Sequence, residues 1–570
     1  MAFTFTGSVP AVADGPVTLK VAIVQQIDSM NPFLAVFQSS TEIGRLMYDP
    51  LTTYAQDDQR VVEAVAAKWE PSPDKLTWTF TVPGGKKWSD GQPITSRDVA
   101  FTYNLMLTNE TARTANGSYV ANFESVTAPD EQTVVIKTKA PQVTMTALDV
   151  PIVPEHKWSS VSDLKNYRNE DFPVVGSGPF ILTDHKPGEF IKLKANKDYW
   201  RGAPKYDELH FVYFKNSDAA VQALAKGEID LVNRMAPAQF DSLQGKEGVE
   251  RNKARGRRFN ELLVNPGAQN KSGQFIGDGN PVLRDVRVRR AIAQSIDLES
   301  LVKRVSLGYA EIGTGIVPPV FEKYHWEPAR RRAFDPAAAR AALDAAGYPL
   351  RDGTRFSLRL MGRSGRAYDE QASEYIKTSL ADVGIRAEVQ LVSDDQLNQA
   401  TTAATYDLAF SGWGANVDPD FILGLHTCAQ RPGPDGTGGT TDSYFCDAEY
   451  DALYAQQLSE FDEARRIDLV KRMQERFYDQ VPSVVLSYEN ALEAYRGDRF
   501  SRFPVQPANG GVIMAQNGVW GYYGAVPALA ASSSGGVSGV VIGIAVVAVL
   551  VLVSGVLVAR RRRVTAEERE

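Results

Sequence analysis

FSLRLMGRSGRAYDEQASEYIKTSLADVGIRAEVQLV, residues 356–392, reads as strand, helix, strand. Residues 356–361 alternate apolar and polar side chains at the period of two that a half-buried strand requires. Residues 370–382 carry their apolar side chains at helical spacing, and residues 385–392 alternate again. The Ala-rich residues 336–346 supply a further helix just before this unit. Parallel strands need a crossover, and this βαβ succession therefore predicts an α/β lobe with a largely parallel sheet.

Outward from this unit the alternation of strands and helices continues. Residues 19–27 read as a buried strand, followed by the polar turn of Asp28, Ser29, Met30, Asn31 and Pro32. A helix follows over 39–47, a strand over 78–82 and a helix over 98–106 that Thr95 or Ser96 caps. Short strands are expected at 133–138 and 190–194. Helix pattern covers 447–480 with a break near Ser459, and residues 482–488 form a strand that returns to the first lobe. At 570 residues the chain exceeds what one core usually holds, so two or more domains are expected. The composition is that of a globular protein, 43% hydrophobic and 23% charged, and the net charge of -7 argues against nucleic acid as a partner.

Residues 537–559 contain no charged side chain and are followed by Arg560, Arg561, Arg562 and Arg563. A run of that length crosses a bilayer core, and the arginines act as a stop-transfer signal on the cytoplasmic side. The expectation is a single C-terminal transmembrane helix, a tether over 524–536, a cytoplasmic tail over 560–570 and an extracytoplasmic body. Residues 1–13 read as the remnant of a signal peptide, with Ala11, Val12 and Ala13 as a small-x-small cleavage site and Asp14 as the first mature residue. The two cysteines, Cys428 and Cys446, bracket a loop rich in Gly, Pro, Thr and Asp, which in an oxidising compartment reads as a disulfide. His426 nearby makes a poor structural zinc site with them, because no fourth ligand is suitably spaced.

No G-x-S-x-G elbow, H-E-x-x-H or phosphate-cradling G-x-x-x-x-G-K-[ST] occurs in the sequence. The five histidines, His156, His185, His210, His325 and His426, are scattered singly and read as surface or structural residues. Neither an enzymatic role nor a cofactor or metal is expected.

The blocks that remain occur in an order that carries a resemblance. These are Asn31-Pro32 with LMYDPL (46–51), WSDGQPITSRDV (88–99), GSGPF (176–180), NKDYW (196–200), ALAKGEID (223–230) and DVRVRRAI (285–292). Together they resemble the large extracytoplasmic solute-binding proteins of ABC importers, in the family with oligopeptide-, dipeptide- and nickel-binding members (family 5). The resemblance implies a two-lobed, periplasmic-binding-protein-like hinged trap of type II, large and with an extra subdomain. Residues 14–55, 170–270 and 481–523 would form lobe I, 56–169 its extra subdomain and 271–480 lobe II. It further implies capture of a peptide through its main chain and delivery to ABC permease and ATPase subunits. The same fold binding an oligosaccharide or metal chelate is the alternative, and a surface hydrolase a more remote one.

FSGWGANVDPD (410–420) resembles the family's ligand-facing block. There an aspartate pairs with the peptide's α-ammonium, whereas Asn416 stands at that position and the loop is one residue shorter. Either Asp418 or Asp420 then supplies the countercharge, or the ligand lacks a free amino terminus. Trp413 is expected to stack on ligand or line the cleft, and Gly412 and Gly414 to bring backbone close to it. Asp28, Ser29, Asn31 and Ser177 are further ligand-binding candidates because related turns face the cleft. For Asp418 and Asp420 the competing role is a turn that starts a helix.

Overall fold

The computed structural model describes residues 15–434, 441, 443–515 and 518–528. The expected signal-peptide remnant, the transmembrane helix, the cytoplasmic tail and most of the tether lie outside these residues. Among the described residues no helix is long and apolar enough to cross a membrane.

The βαβ unit forms as its pattern dictates. Strands Phe356–Arg363 and Ile385–Val392 pair in parallel, Phe356 opposite Ile385, and Leu408–Ser411 joins the other edge of the first, also in parallel. The intervening helix, Ala367–Asp382, buries Ala372, Ile376 and Leu380 completely, one turn apart on one face. Each such Ile or Leu contributes about 1.5–3 kcal/mol of burial. The preceding helix Pro336–Ala345 starts with proline at its first turn, while Asp335 accepts from the Ala338 amide at 2.8 Å.

These strands are one flank of an 11-stranded sheet whose middle is two long antiparallel strands, Val249–Val264 and Ser483–Arg496. The other flank runs through Leu231–Val232, Thr18–Ile23, Glu208–Tyr213, Phe190–Ala195 and Phe180–Lys186. Each flank has its own core. Leu19, Val21, Phe180, Leu193, Leu209 and Phe211 fill one, and Leu262, Val264, Leu358, Leu360, Ile376 and Leu408 the other. The two halves are thus α/β lobes joined by the pair of crossing strands.

A separate antiparallel sheet, in the order Lys68–Pro71, Thr77–Thr81, Thr133–Thr138, Phe123–Thr127, extends the first core. Helix Ser96–Thr108 covers it under a capping box of Thr95 and Asp98. The second carboxylate oxygen of Asp98 accepts from the Glu155 amide at 2.9 Å, tying this helix to the next segment. The turn before it needs Gly91 at φ 89°. Tyr199 and Trp200 are scaffold aromatics, both donating to the buried Asp49 carboxylate at 3.1 and 2.8 Å.

Three expectations change, the first being the strand expected over 19–27, which stops at Ile23 with Val24 beyond it exposed to solvent. Residues 524–527, expected to begin the tether, still belong to the folded body, since Val526–Pro527 pairs with Phe500–Arg502. The strand expected over 482–488 is twice that length, because the neighbouring crossing strand hydrogen-bonds it far past its apolar part. Cys428 and Cys446 are joined by a disulfide. The Cys428 amide donates to Asp451 at 3.1 Å.

Candidate functional site

The crossing strands do not pass evenly from lobe to lobe. Their register shifts between Arg255 and Phe259 and again between Asn260 and Glu261. A Cβ on Gly256 would lie 2.0 Å from the Glu489 carbonyl oxygen, so only glycine allows the strands this approach. The displaced residues 257–259 instead bind the segment that carries the ligand-facing block. Phe259 donates its amide to the Trp413 carbonyl at 3.1 Å, Ala415 its amide to the Arg257 carbonyl at 2.8 Å, and the Arg258 guanidinium binds the Gly412 carbonyl at 2.9 Å. A Cβ on Gly412 would meet the Phe259 carbonyl at 2.5 Å. The close backbone approach expected around Gly412 and Gly414 is therefore made, but to the chain's own crossing strand.

Beyond this anchor the block turns along the second lobe. Trp413 is half-buried with its ring edge-on to Phe421 at 6.2 Å. Asn416 is half-buried, and among the described residues its amide has no hydrogen-bond partner. Asp418 is committed to Arg466, which grips both of its oxygens at 2.7 and 2.8 Å and also binds the Tyr324 hydroxyl and the Gln457 amide oxygen at 3.1 Å. Burial pushes the Asp418 carboxyl up, but the guanidinium outweighs it and holds the group below the usual carboxylate range. Asp420 opens the short helix Asp420–Gly424, its amide donating to Asp418 at 3.0 Å and its carboxylate accepting from Gln457 at 3.1 Å. Burial, together with the Asp418 charge, pushes its carboxyl up to about 6.

The sign of the Asp420 shift fixes a prediction. A folded pKa above the unfolded value makes a contribution that is complete below the unfolded value and lost as pH rises through about 6. Asp420→Asn is expected to flatten the fall in stability between about pH 4 and pH 6.5 and to gain about 1 kcal/mol at neutral pH. Urea unfolding across that range checks it, and an unchanged slope refutes the assignment.

The charge of Asp418 acts on Tyr54, and the charges of Asp149, Asp420 and Asp418 act on Tyr119. Burial raises the Tyr54 hydroxyl, and the charges of Asp418 and Asp149 raise it further. Asp149 is itself ion-paired to Arg45 at 2.6 Å.

The other candidates sit elsewhere. Asn31 is fully buried and donates to the Leu164 and Tyr167 carbonyls, while Ser177, also buried, accepts from the Asp49 amide at 2.8 Å. Asp28 organises its own loop, accepting from the amides of Val36 and Phe37 at 2.7 and 3.1 Å, and Ser29 accepts from the Asn31 amide at 3.0 Å. Among the described residues no hydrogen bond joins these four to the block at 410–420.

An arginine cluster at the crossing was not anticipated from sequence. The Arg258 side chain is exposed, but partial loss of hydration against the surrounding protein lowers its guanidinium, the Arg366 charge adds to this, and Arg234 and Arg363 act in the same direction against Glu489. Arg234 is ion-paired to Glu42, Arg363 to Asp394 at 2.9 Å, and Arg366 bonds the Asn260 amide oxygen at 3.2 Å. Among the described residues Arg258 has no ion-pair partner within salt-bridge distance. Arg363 ends its parallel strand, and the carboxyl ends of such strands are where open α/β sheets bind ligands. That rule was the available signal. No group of His, Cys, Asp or Glu among the described residues is arranged to hold a metal ion. Of the histidines, His426 is buried against Phe477 beside the disulfide, and burial lowers it to about 3.

Residues 60–431 match the family described as bacterial extracellular solute-binding proteins, family 5. A Brucella ovis protein named for peptide binding in an ABC transporter is 29% identical over 399 residues, covering 66% of this chain and 70% of the relative. The dipeptide-binding protein of Escherichia coli is 24% identical over 476 residues, 79% of this chain and 85% of that protein. Among solved structures, the oligopeptide-binding protein of Bacillus subtilis in complex with a nonapeptide superposes with a TM-score of 0.73 at 22% identity, covering 90% of this chain and all of that one.

Proposed function

The chain belongs to family 5 of the bacterial extracellular solute-binding proteins, and from that premise we propose that it captures peptides between its lobes and delivers them to an ABC permease. The family is one of binding proteins rather than enzymes, and its members work outside the cytoplasm. The observation that carries the peptide reading is the Arg258 guanidinium at the crossing, which among the described residues has no carboxylate within salt-bridge distance, whereas Asp418 and Asp149 are already paired with Arg466 and Arg45. A guanidinium left over in this way suits the carboxylate of a peptide held through its main chain.

Asn416, lacking a countercharge, favours a second reading in which the solute has no free ammonium group. Native mass spectrometry of the full chain from its own host, followed by identification of released small molecules, separates the two. Co-purified peptides of mixed sequence support the first reading, and a single non-peptide species replaces it with the second.

In this reading residues 14–55, 170–270 and 481–523 move as lobe I with 56–169 as its subdomain, against 271–480 as lobe II. Residues 537–559 anchor the body to the membrane, after cleavage of a leader that ends near Ala13. Ending the chain after Ala531 is expected to release a folded protein into the medium; retention of that truncation in the membrane fraction contradicts the single anchor.

A further inference from the structure

Helices Ala448–Ser459 and Glu463–Gln480 belong to the second lobe, where Tyr450, Leu453, Leu469 and Val470 share one core. The connector between them reads Ser459, Glu460, Phe461, Asp462, Glu463, a single aromatic among acidic and polar residues. Such a side chain has no local reason to be apolar. Phe461 does not join the core beneath its own helices. It packs against the other core, the one that holds Trp78 and Phe80.

Its socket is built by the first lobe's subdomain. The Phe461 ring stacks on Trp78 at 6.0 Å between centroids with planes 27° apart. The Lys75 ammonium lies 5.0 Å from the centre of the same ring. Trp78 is held in turn, buried to 4% exposure and stacked on Phe80 at 6.1 Å. Lys75 sits at the tip of the turn before this strand with φ 63°, its amide bonded to Ser72 at 2.9 Å. Helix Ala448–Ser459 also lies against residues Val143–Thr146 of the subdomain. These contacts bridge the two lobes without using the crossing strands, and none involves a candidate ligand residue.

We propose that Phe461 is a closure latch: its ring, seated between Trp78 and Lys75, holds the second lobe against the subdomain and sets how much of the protein is closed before solute arrives. This rests on the hinged-trap reading above. Opening the lobes withdraws the ring, so the aromatic and cation–π contacts stabilise the closed form alone. A latch that is too strong would close the empty trap and slow solute uptake; one half-buried aromatic gives a bias of modest size.

Pulsed electron–electron resonance on the full chain in detergent tests this, with spin labels at Glu131→Cys on the subdomain and Arg472→Cys on helix Glu463–Gln480. The native cysteines are disulfide-bonded and do not compete for label. Without added solute, Phe461→Ser is expected to lower the ratio of short to long distances about tenfold, and Lys75→Met by a smaller factor in the same direction. A tryptic digest of casein, added as a peptide mixture, is expected to restore the short distance in both variants. If both variants match the unsubstituted protein while the digest still shifts it, the latch is overturned and the trap stands. If no variant and no digest moves the distribution, the trap reading falls and the latch with it.

Discussion

Arg466→Met is expected to destabilise the folded body by about 3–5 kcal/mol, the cost of stranding one member of a buried ion pair. The side chains of Arg466 and Asp418 are only 6% and 15% exposed, and the guanidinium binds both carboxylate oxygens. Removing the cation leaves a carboxylate in a site with Tyr324, Gln457 and a second carboxylate, Asp420, for company. In the native protein the Asp418 carboxyl lies below its ordinary value, so its contribution is present at neutral pH and lost on acidification through that lowered value. In the variant the sign reverses, because burial and the Asp420 charge now both favour the protonated acid. The variant therefore regains stability relative to the native protein as pH falls from 7 to 5. Adding Asp418→Asn to Arg466→Met is expected to recover at least half of the loss, since no charge is then left unpaired. Urea unfolding of the four proteins of this cycle measures it. A loss below about 1 kcal/mol for Arg466→Met, on the scale of an exposed pair, would remove the pair from the account of the site.

The parts legible in sequence were those whose pattern is local. Residues 356–392 announce their fold because each element carries its own periodicity, and the strand at 133–138 appears with the expected bounds. The capping box at Thr95 follows from side chains three residues apart. Val249–Val264 was not legible. Its first half, Val249 to Arg258, is crowded with Glu, Arg, Asn and Lys and has Gly256 inside, a composition that argues against a strand. It is a strand because Ser483–Arg496 pairs with it, a contact more than 200 residues away in sequence. The same distance hid the arginine cluster, whose members come from three separate segments, around Arg234, Arg258 and Arg363 with Arg366. Asp418 was legible as a residue of interest but not as Arg466's partner, 48 positions on. Local reading could only weigh a helix-start turn against ligand contact, and the Asx-type bond from the Asp420 amide shows the turn is present.

Solute recognition supplies the second large effect. Arg258→Ala is expected to weaken binding of peptides with a free C-terminal carboxylate about 30-fold or more, the loss found when one partner of a desolvated charge pair is truncated. Of the guanidiniums at the crossing, Arg234 is satisfied by Glu42 and Arg363 by Asp394, whereas Arg258 spends one amine on the Gly412 carbonyl. Glu489 opposes the Arg258 charge without lying within salt-bridge distance of it and accepts from Asn260 at 2.6 Å, so the Arg258 guanidinium is left without a direct ion pair. An empty cleft tolerates this because water reaches it; a closed one needs an anion, and a peptide carboxylate has the planar geometry that a guanidinium fork matches. Arg258→Lys keeps the charge and loses the fork, so it is expected to fall between the parent and the alanine variant. Isothermal calorimetry with pools of synthetic peptides graded by length, each as free acid and as C-terminal amide, makes the test specific. The parent should prefer the acids, and Arg258→Ala should bind acids and amides alike. If the parent itself makes no distinction, the cluster is not reading the carboxylate. The Arg258 guanidinium would then serve a side chain of the solute, which an acidic-peptide pool would reveal by binding more tightly than a neutral one.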